Sequence, residues 1–114
     1  MPGNHKALEM TTLSALAARI RVDIVELLRH GPLTVGEIAG RLGVSQPHAS
    51  KHLKILTDKG LLEVKAEANR RNYKLRPGPF QAMDSWVRTF RSEMEERFDS
   101  LENYLREVQT KEDL

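Results

Sequence analysis

The sequence contains no cysteine and few aromatic residues, with one tryptophan, two tyrosines and three phenylalanines among 114 residues. Without a thiol, the chain can form neither a disulfide nor a thiolate metal site. No apolar run approaches the roughly 20 residues of a membrane span, and residues 1–12 lack the apolar core of a signal peptide. We therefore expect a cytoplasmic protein with no membrane partner, folded as a single domain over residues 1–114.

Charge is divided unevenly along the chain, although the formal net charge is only +2. Residues 46–76 carry eight basic side chains against three acidic ones, whereas residues 84–114 carry five basic against nine acidic. The basic segment favours a polyanionic partner, and the acidic segment is typical of a solvated tail. On charge alone, an ordinary scattered surface remains the alternative.

Apolar residues at helical spacing predict two helices in the first third of the chain. The first covers residues 8–18. In the second, Ile20, Ile24 and Leu28 follow one another at steps of four, and the pattern ends at Gly31-Pro32 because proline cannot continue a helix.

Two shorter helices then follow, separated by a turn at Gly43. Thr34 and Glu37 have the spacing of a capping box, which starts the first of them. Ser45 caps the second, and Pro47 falls in its first turn, where a missing N–H would have no intrahelical partner anyway. This order predicts a helix-turn-helix over about residues 34–59.

Alternation of apolar and polar residues predicts a β-hairpin over about residues 61–76. The polar connection between its strands covers residues 68–71, which puts Arg70 and Arg71 at the tip. The hairpin would make the helix-turn-helix a winged one, so the predicted fold is mainly α with a β-hairpin wing.

One long helical pattern runs from Phe80 to about residue 109, after a firm break at Pro77-Gly78-Pro79. Such a helix is roughly 45 Å long, more than a small domain can cover. Its apolar stripe is therefore predicted to be a partner interface rather than ordinary core, and a two-fold dimer is the default assembly. The stripe contains Phe80, Met83, Val87, Phe90, Met94, Phe98, Leu101, Leu105 and Val108, and Trp86 adds a third large anchor to Phe90 and Phe98.

The second helix of the helix-turn-helix has two chemically different faces. At about 100° per residue, Ala49, His52, Leu53 and Leu56 lie on one side and are expected to pack on the preceding helices. Double-stranded DNA is the predicted partner of the other face and its flanks, which carry groups suited to bases and phosphates beside Arg70 and Arg71. Those candidate residues are Gln46, Pro47, His48, Ser50, Lys51 and Lys54.

The run VGEIAGRLGVSQPHASKHLKILTDKGLLEVKAEANRRNYKL, preceded by RIRVDIVELLRHGPL, resembles the ArsR-type winged-helix repressors of prokaryotes. The resemblance covers roughly residues 8–80, with Ala18-Arg19-Ile20 in place of the family's usual Asp-Pro-Thr. It implies a symmetric dimer that is built by the first and last helices and binds an inverted repeat. The implied interface contains Leu8, Leu13, Met83, Trp86, Val87, Phe90, Met94 and Phe98, and the implied DNA contacts are Gln46, Pro47, Ser50, Lys51, Arg70 and Arg71.

The family's best-known members sense metals, and the sequence departs from them because it has no cysteine and no histidine on the final helix. His48 and His52 have a spacing that could hold a metal, but no third ligand is evident. We therefore expect no metal site and no cofactor, as in the cysteine-free branch of the family. DNA binding is expected not to respond to metals or thiol oxidants.

An enzyme is not expected, because Ser45 and Ser50 have no base held beside them in a pocket. The function predicted from the residues and the resemblance is that of a dimeric, sequence-specific transcriptional repressor. Two alternatives stay open. One is a repressor released by an unidentified small molecule, and the other is a winged-helix dimer that binds only protein.

Overall fold

The structure is a computed structural model, and it describes residues 10–112. It is mainly helical with a small antiparallel sheet, which confirms the predicted fold class. The chain divides into two compact units, Met1–Met83 and Asp84–Leu114. Among the described residues, no helix is long and apolar enough to cross a membrane. In chain order the elements are α1 (helical residues 10–15), α2 (Arg19–Leu28), β1 (Leu33–Thr34), α3 (Val35–Leu42), α4 (Gln46–Asp58), β2 (Leu62–Glu67), β3 (Arg70–Leu75) and α5 (Pro77–Glu112).

The helix boundaries around the turn of the helix-turn-helix follow the predicted capping residues. The Thr34 hydroxyl accepts from the Glu37 backbone N–H at 3.2 Å, and the Thr34 N–H donates back to the Glu37 carboxylate at 3.1 Å. The Thr34 hydroxyl also donates to this carboxylate, at 3.0 Å. The backbone bond and then the hydroxyl bond from Thr34 hold the pKa of Glu37 below its ordinary value of 4.5. Gly43 ends α3 in the left-handed conformation at φ 69°, and the Ser45 hydroxyl accepts from the His48 N–H at 3.2 Å.

The core is made where α2, α3 and α4 pack against one another and against the sheet. Its largest fully buried apolar side chains come from all of these parts of the first unit. Burying one such side chain contributes about 1.5–3 kcal/mol, which holds α4 in place by its apolar face. The side chains are Ile24, Ile38, Leu53, Leu56, Leu61 and Leu62.

The sheet has a third strand that the sequence analysis missed. β1 pairs with β3, with Leu33 opposite Tyr73 and Thr34 opposite Asn72, and the strand order is β1-β3-β2. Two residues are too few for a visible alternation, so only the pairing with β3 reveals the strand. Leu33 and Tyr73 are both buried, and the pair joins the sheet to the core.

The predicted connection in the hairpin was wrong. Only Ala68 and Asn69 link the strands, because Arg70 already pairs with Glu67 and Arg71 with Ala66. The two arginines are therefore the first residues of β3 rather than the loop itself. A strand position fixes the direction of each side chain more firmly than a loop position would.

The predicted break at Pro77-Gly78-Pro79 was also wrong, since α5 begins at Pro77 and runs to Glu112. Both prolines fall in the first turn, where the N–H groups have no intrahelical partners to lose. The first predicted helix ends at residue 15 rather than at residue 18, because residues 16–18 form a turn and bend. Leu8, a predicted interface residue, lies outside the described residues.

Replacing Ala68 by glycine is expected to stabilise the protein. Ala68 has φ 53° at the first position of the two-residue turn, a conformation in which a Cβ costs about 1–2 kcal/mol. Glycine's larger freedom in the unfolded chain offsets about 0.4–1 kcal/mol of this. Ala68→Gly should raise the free energy of unfolding by about 0.5–1 kcal/mol. Urea denaturation measures the change, with Ala66→Gly, within β2 and opposite Arg71, as a control that should destabilise.

Candidate nucleic-acid interface

Helix α4 presents an apolar face to the core and a polar face to solvent. Ala49, Leu53 and Leu56 are fully buried, as the helical spacing predicted. His52 is half-buried beside them. All six predicted DNA-facing residues of this helix are exposed, namely Gln46, Pro47, His48, Ser50, Lys51 and Lys54.

An open groove of about 550 Å³ lies between the exposed face of α4 and the wing. Ser50, Lys51 and Lys54 line it from the helix, and Arg71 and Tyr73 line it from β3. Arg71 and Tyr73 are two apart on one strand and so share a face. Burial of the Tyr73 side chain against the core therefore turns Arg71 towards α4.

Arg70 lies in an adjoining concavity of the same surface. That concavity is lined by Ser50 and Arg71 and by residues around the start of α3, including Thr34 and Val35. The charge of Arg70 also contributes to lowering the pKa of Glu37, after the larger effect of the Thr34 hydrogen bonds. The structure thus brings both wing arginines to Ser50, although they begin a strand and do not form its turn.

Ion pairing distinguishes the lysines of the wing from its two arginines. Lys74 lies 3.4 Å from the Glu63 carboxylate, and Lys65 lies 3.6 Å from that of Glu67. Arg70 and Arg71 have no such carboxylate partner among residues 10–112, and the same holds for Lys51 and Lys54. The four cations beside the groove are therefore available to an external anion. Asp58, at the end of α4, is the acid that lines the groove.

His48 and His52 do not form a metal site with any other described side chain. Their ring centroids are 5.1 Å apart, with the rings nearly perpendicular. Over residues 10–112, no group of three or more His, Asp or Glu side chains is placed to hold a metal ion. The insensitivity of DNA binding to metals stays a prediction.

The apolar stripe of α5 is exposed along the part of the helix in the second unit. Trp86, Phe90 and Phe98 are 46%, 59% and 63% exposed, and the rings of Trp86 and Phe90 stack at 6.5 Å. Val87, Met94, Leu101, Tyr104 and Leu105 continue the exposed stripe. Monomeric proteins rarely expose apolar patches of this extent, so the stripe is suited to a partner.

Comparison with known proteins identifies the family. The model of the ArsR family of bacterial regulatory proteins matches residues 19–64. The transcriptional activator HlyU of Vibrio cholerae is 34% identical over 79 residues, which is 69% of this chain and 73% of HlyU. The chain belongs to the ArsR family. The resemblance to the ArsR family that the sequence showed is thereby confirmed. The family consists of transcriptional regulators rather than enzymes.

Two further mycobacterial proteins are similar to the chain. The HTH-type transcriptional regulator Rv2034 of Mycobacterium tuberculosis is 46% identical over 69 residues, which is 60% of this chain and 64% of Rv2034. The chain thus spans slightly less than two thirds of this relative. A solution structure from Mycobacterium bovis covers 76% of this chain and 81% of its own, with a TM-score of 0.62 and 28% identity. It is the homodimeric winged helix-turn-helix DNA-binding domain of a "possible ArsR-family transcriptional regulator".

Several residues that line the groove and the adjoining concavity were missed by the sequence analysis. Thr34, Val35, Asn69 and Tyr73 all line the concavities beside α4, and none is basic or lies on that helix. Tyr73 could have been found from the alternation of β3, which puts it on the same face as Arg71. The others have no local signal, because only packing of the wing against α3 and α4 brings them there.

Proposed function

We propose that this protein is a homodimeric transcriptional regulator that binds an inverted-repeat operator and represses by occupying promoter DNA. The main support for this proposal is the groove that Ser50, Lys51 and Lys54 of α4 line together with Arg71 of the wing. Their cations lack carboxylate partners among the described residues, and phosphate would supply the missing charge. The homodimeric DNA-binding relative from Mycobacterium bovis supports the same assembly.

The two kinds of side chain on this surface would do different work on DNA. Gln46 and Ser50 are neutral and can pair with base edges in the major groove, glutamine preferentially with adenine. Lys51 and Lys54 can bind phosphate, and lysine can also bind guanine. His48 is exposed at the start of α4, next to Gln46 and Pro47. Base reading would therefore concentrate in the first two turns of the helix.

Selection from random double-stranded DNA tests this function directly. Two α4 helices related by a two-fold axis enter successive major grooves about 34–36 Å apart, so selected sequences should be inverted repeats with that spacing. Gln46→Ala and Ser50→Ala should each relax the preference at one base of a half-site, a loss of about 1–3 kcal/mol of discrimination.

Glu63→Gln is a matched control, because this exposed residue lies on β2 and pairs with Lys74 across the hairpin. Its selected sequences should equal those of the wild type. Selection of sequences without symmetry would contradict the docking model. Selection of no sequence at all would favour the alternative of a winged-helix dimer that binds only protein.

The sign of regulation needs its own measurement, because the Vibrio relative is named an activator. We expect repression, since a dimer that covers promoter DNA excludes polymerase without any further contact. A reporter driven by a promoter that contains the selected operator should fall when the protein is expressed. The same reporter with a scrambled half-site controls for unspecific effects, and a rise in expression would contradict repression.

A further inference from the structure

Arg21 of α2 lies between the end of α1 and the middle of α4. Its Nε donates to the Ala15 carbonyl at 2.6 Å, and one terminal nitrogen donates to the Ser14 carbonyl at 3.4 Å. The other terminal nitrogen lies 3.3 Å from Nδ1 of His52. A guanidinium can only donate, so this contact is a hydrogen bond when Nδ1 of His52 accepts, which requires the neutral ring with its proton on Nε2.

A second contact joins the same two helices. Lys59, immediately after α4, donates from Nζ to the Ser14 hydroxyl at 2.9 Å. The end of α1 is therefore tied to α4 at two places about two turns apart, at His52 through Arg21 and at Lys59 directly. Ala49 and Leu53, which flank this part of α4, are fully buried, so the helix is held by its apolar face and by these polar bonds.

His52 would lose this bond if it took up a proton. The titratable and charged groups that face it are Arg21 from α2 and His48 and Lys51 from its own helix. None of these groups is a carboxylate, so a protonated ring gains no partner and meets like charge. Burial, and then the positive charges of Arg21, His48 and Lys51, lower the pKa of His52 below its ordinary value of 6.5.

We propose that Arg21 is a positioning residue for DNA reading, which holds α4 against the end of α1 through neutral His52, and that protonation of His52 releases this hold and weakens operator binding. The inference rests on the proposed DNA-binding function. Neither Arg21 nor His52 needs to touch DNA, because both act on the angle at which Gln46 and Ser50 are presented. His48, 5.1 Å from His52, lies on the exposed side and links the ring to the reading face.

The direction of the pH dependence follows from the neutral state of His52 in the fold. Below pH 6.5 the unfolded chain protonates this histidine while the folded chain resists it. The contribution of the Arg21–His52 bond to the free energy of unfolding is therefore complete above pH 6.5, and it is lost as the pH falls towards the lowered pKa of His52. Operator affinity is a property of the folded chain, so it should decrease at a lower pH, as the pH falls through the lowered pKa of His52.

The experiment measures operator affinity by fluorescence anisotropy from about pH 8 to about pH 4.5, so that the range extends well below the ordinary pKa of histidine. His52→Leu keeps an apolar volume but removes the acceptor. Arg21→Lys keeps the charge but cannot reach three acceptors at once. Each variant should bind operator about tenfold more weakly at pH 8, which corresponds to the free energy of about one hydrogen bond to a charged group.

His52→Asn is the conservative rescue, because its side-chain oxygen takes the place of Nδ1 and cannot be protonated. It should recover most of the lost affinity and remove the acid-dependent decrease that the wild type shows.

Arg29→Lys is the matched control for the arginine change, since Arg29 lies immediately after α2 and pairs with Glu26 at the surface, and its affinity should equal the wild type's. His48→Gln isolates any contribution of the neighbouring histidine. Thermal unfolding of every variant identifies loss of the fold.

Two failures can be told apart. If the wild type binds operator and folded His52→Leu and Arg21→Lys bind it equally well, the positioning role is overturned while the DNA-binding function stands. An acid-dependent decrease that persists in His52→Asn likewise overturns it. If the wild type selects no DNA, the proposed function and this inference fall together.

Discussion

A Phe90→Glu variant is expected to sediment as a monomer at micromolar concentration and to bind operator about 10²–10⁴-fold more weakly than the wild type. Phe90 is 59% exposed in the middle of the apolar stripe of α5 and stacks on Trp86. In a two-fold dimer each stripe residue is buried twice, and burying one phenylalanine contributes about 1.5–3 kcal/mol. A carboxylate at this position would instead be buried without a partner.

The loss of operator affinity follows from the loss of the dimer. Two linked reading helices bind the second half-site at a millimolar effective concentration, and a monomer binds each half-site alone. Ser92→Glu is the matched control, because it adds the same charge about 200° around the helix from Phe90. Ser92 is exposed, so this variant should remain a dimer with wild-type affinity. A Phe90→Glu protein that stays dimeric, or a monomer that binds operator tightly, would contradict the assembly.

Replacing both Arg70 and Arg71 by alanine should lower the salt dependence of operator binding by up to about 3–4 units in the slope of log affinity against log salt. The expectation is one phosphate per arginine in each subunit, at about 0.9 units per contact. Arg71 lines the groove with Lys51 and Lys54, and Arg70 lies beside the start of α3. Neither is paired with a carboxylate among the described residues, so each is available to phosphate.

Single variants divide this effect between the two arginines. Arg71→Ala alone should lower the slope by about 1.8 units per dimer. Lys65→Ala removes the same charge from the opposite strand of the wing, where Lys65 is paired with Glu67, and should change the slope far less. If the double variant keeps the wild-type slope, the wing arginines are surface residues, and α4 alone would carry the phosphate contacts.

The start of β3 illustrates where the sequence analysis failed. Alternation predicted a hairpin over residues 61–76, yet it placed Arg70 and Arg71 in the connection. The charge pattern of ANRR is that of a loop, whereas strand pairing of Arg70 with Glu67 and of Arg71 with Ala66 extends the sheet to a two-residue turn. A turn with Ala68 at φ 53° has no glycine signal, so local propensity could not reveal it.

The helix-turn-helix was predictable from the sequence because its determinants are local. Thr34, Glu37, Gly43 and Ser45 act on backbone groups within three or four residues of themselves, and the spacing of Ala49, Leu53 and Leu56 defines the buried face of α4. The exposed apolar stripe of α5 is equally a matter of periodicity. Local hydrogen bonds and the helical repeat both depend on residues only a few positions apart, so the sequence is enough to predict them.

What only the tertiary structure decided is which distant residues meet. The pairing of Leu33 with Tyr73, the approach of Arg71 to Lys54, and the contact of Arg21 with His52 join residues far apart in the chain. Each depends on how α2, α4 and the sheet share one core, a property of packed side-chain volume rather than of any short motif. The sequence alone thus determined the candidate reading helix and its polar face. The fold determined what lies beside that face and what holds it in position.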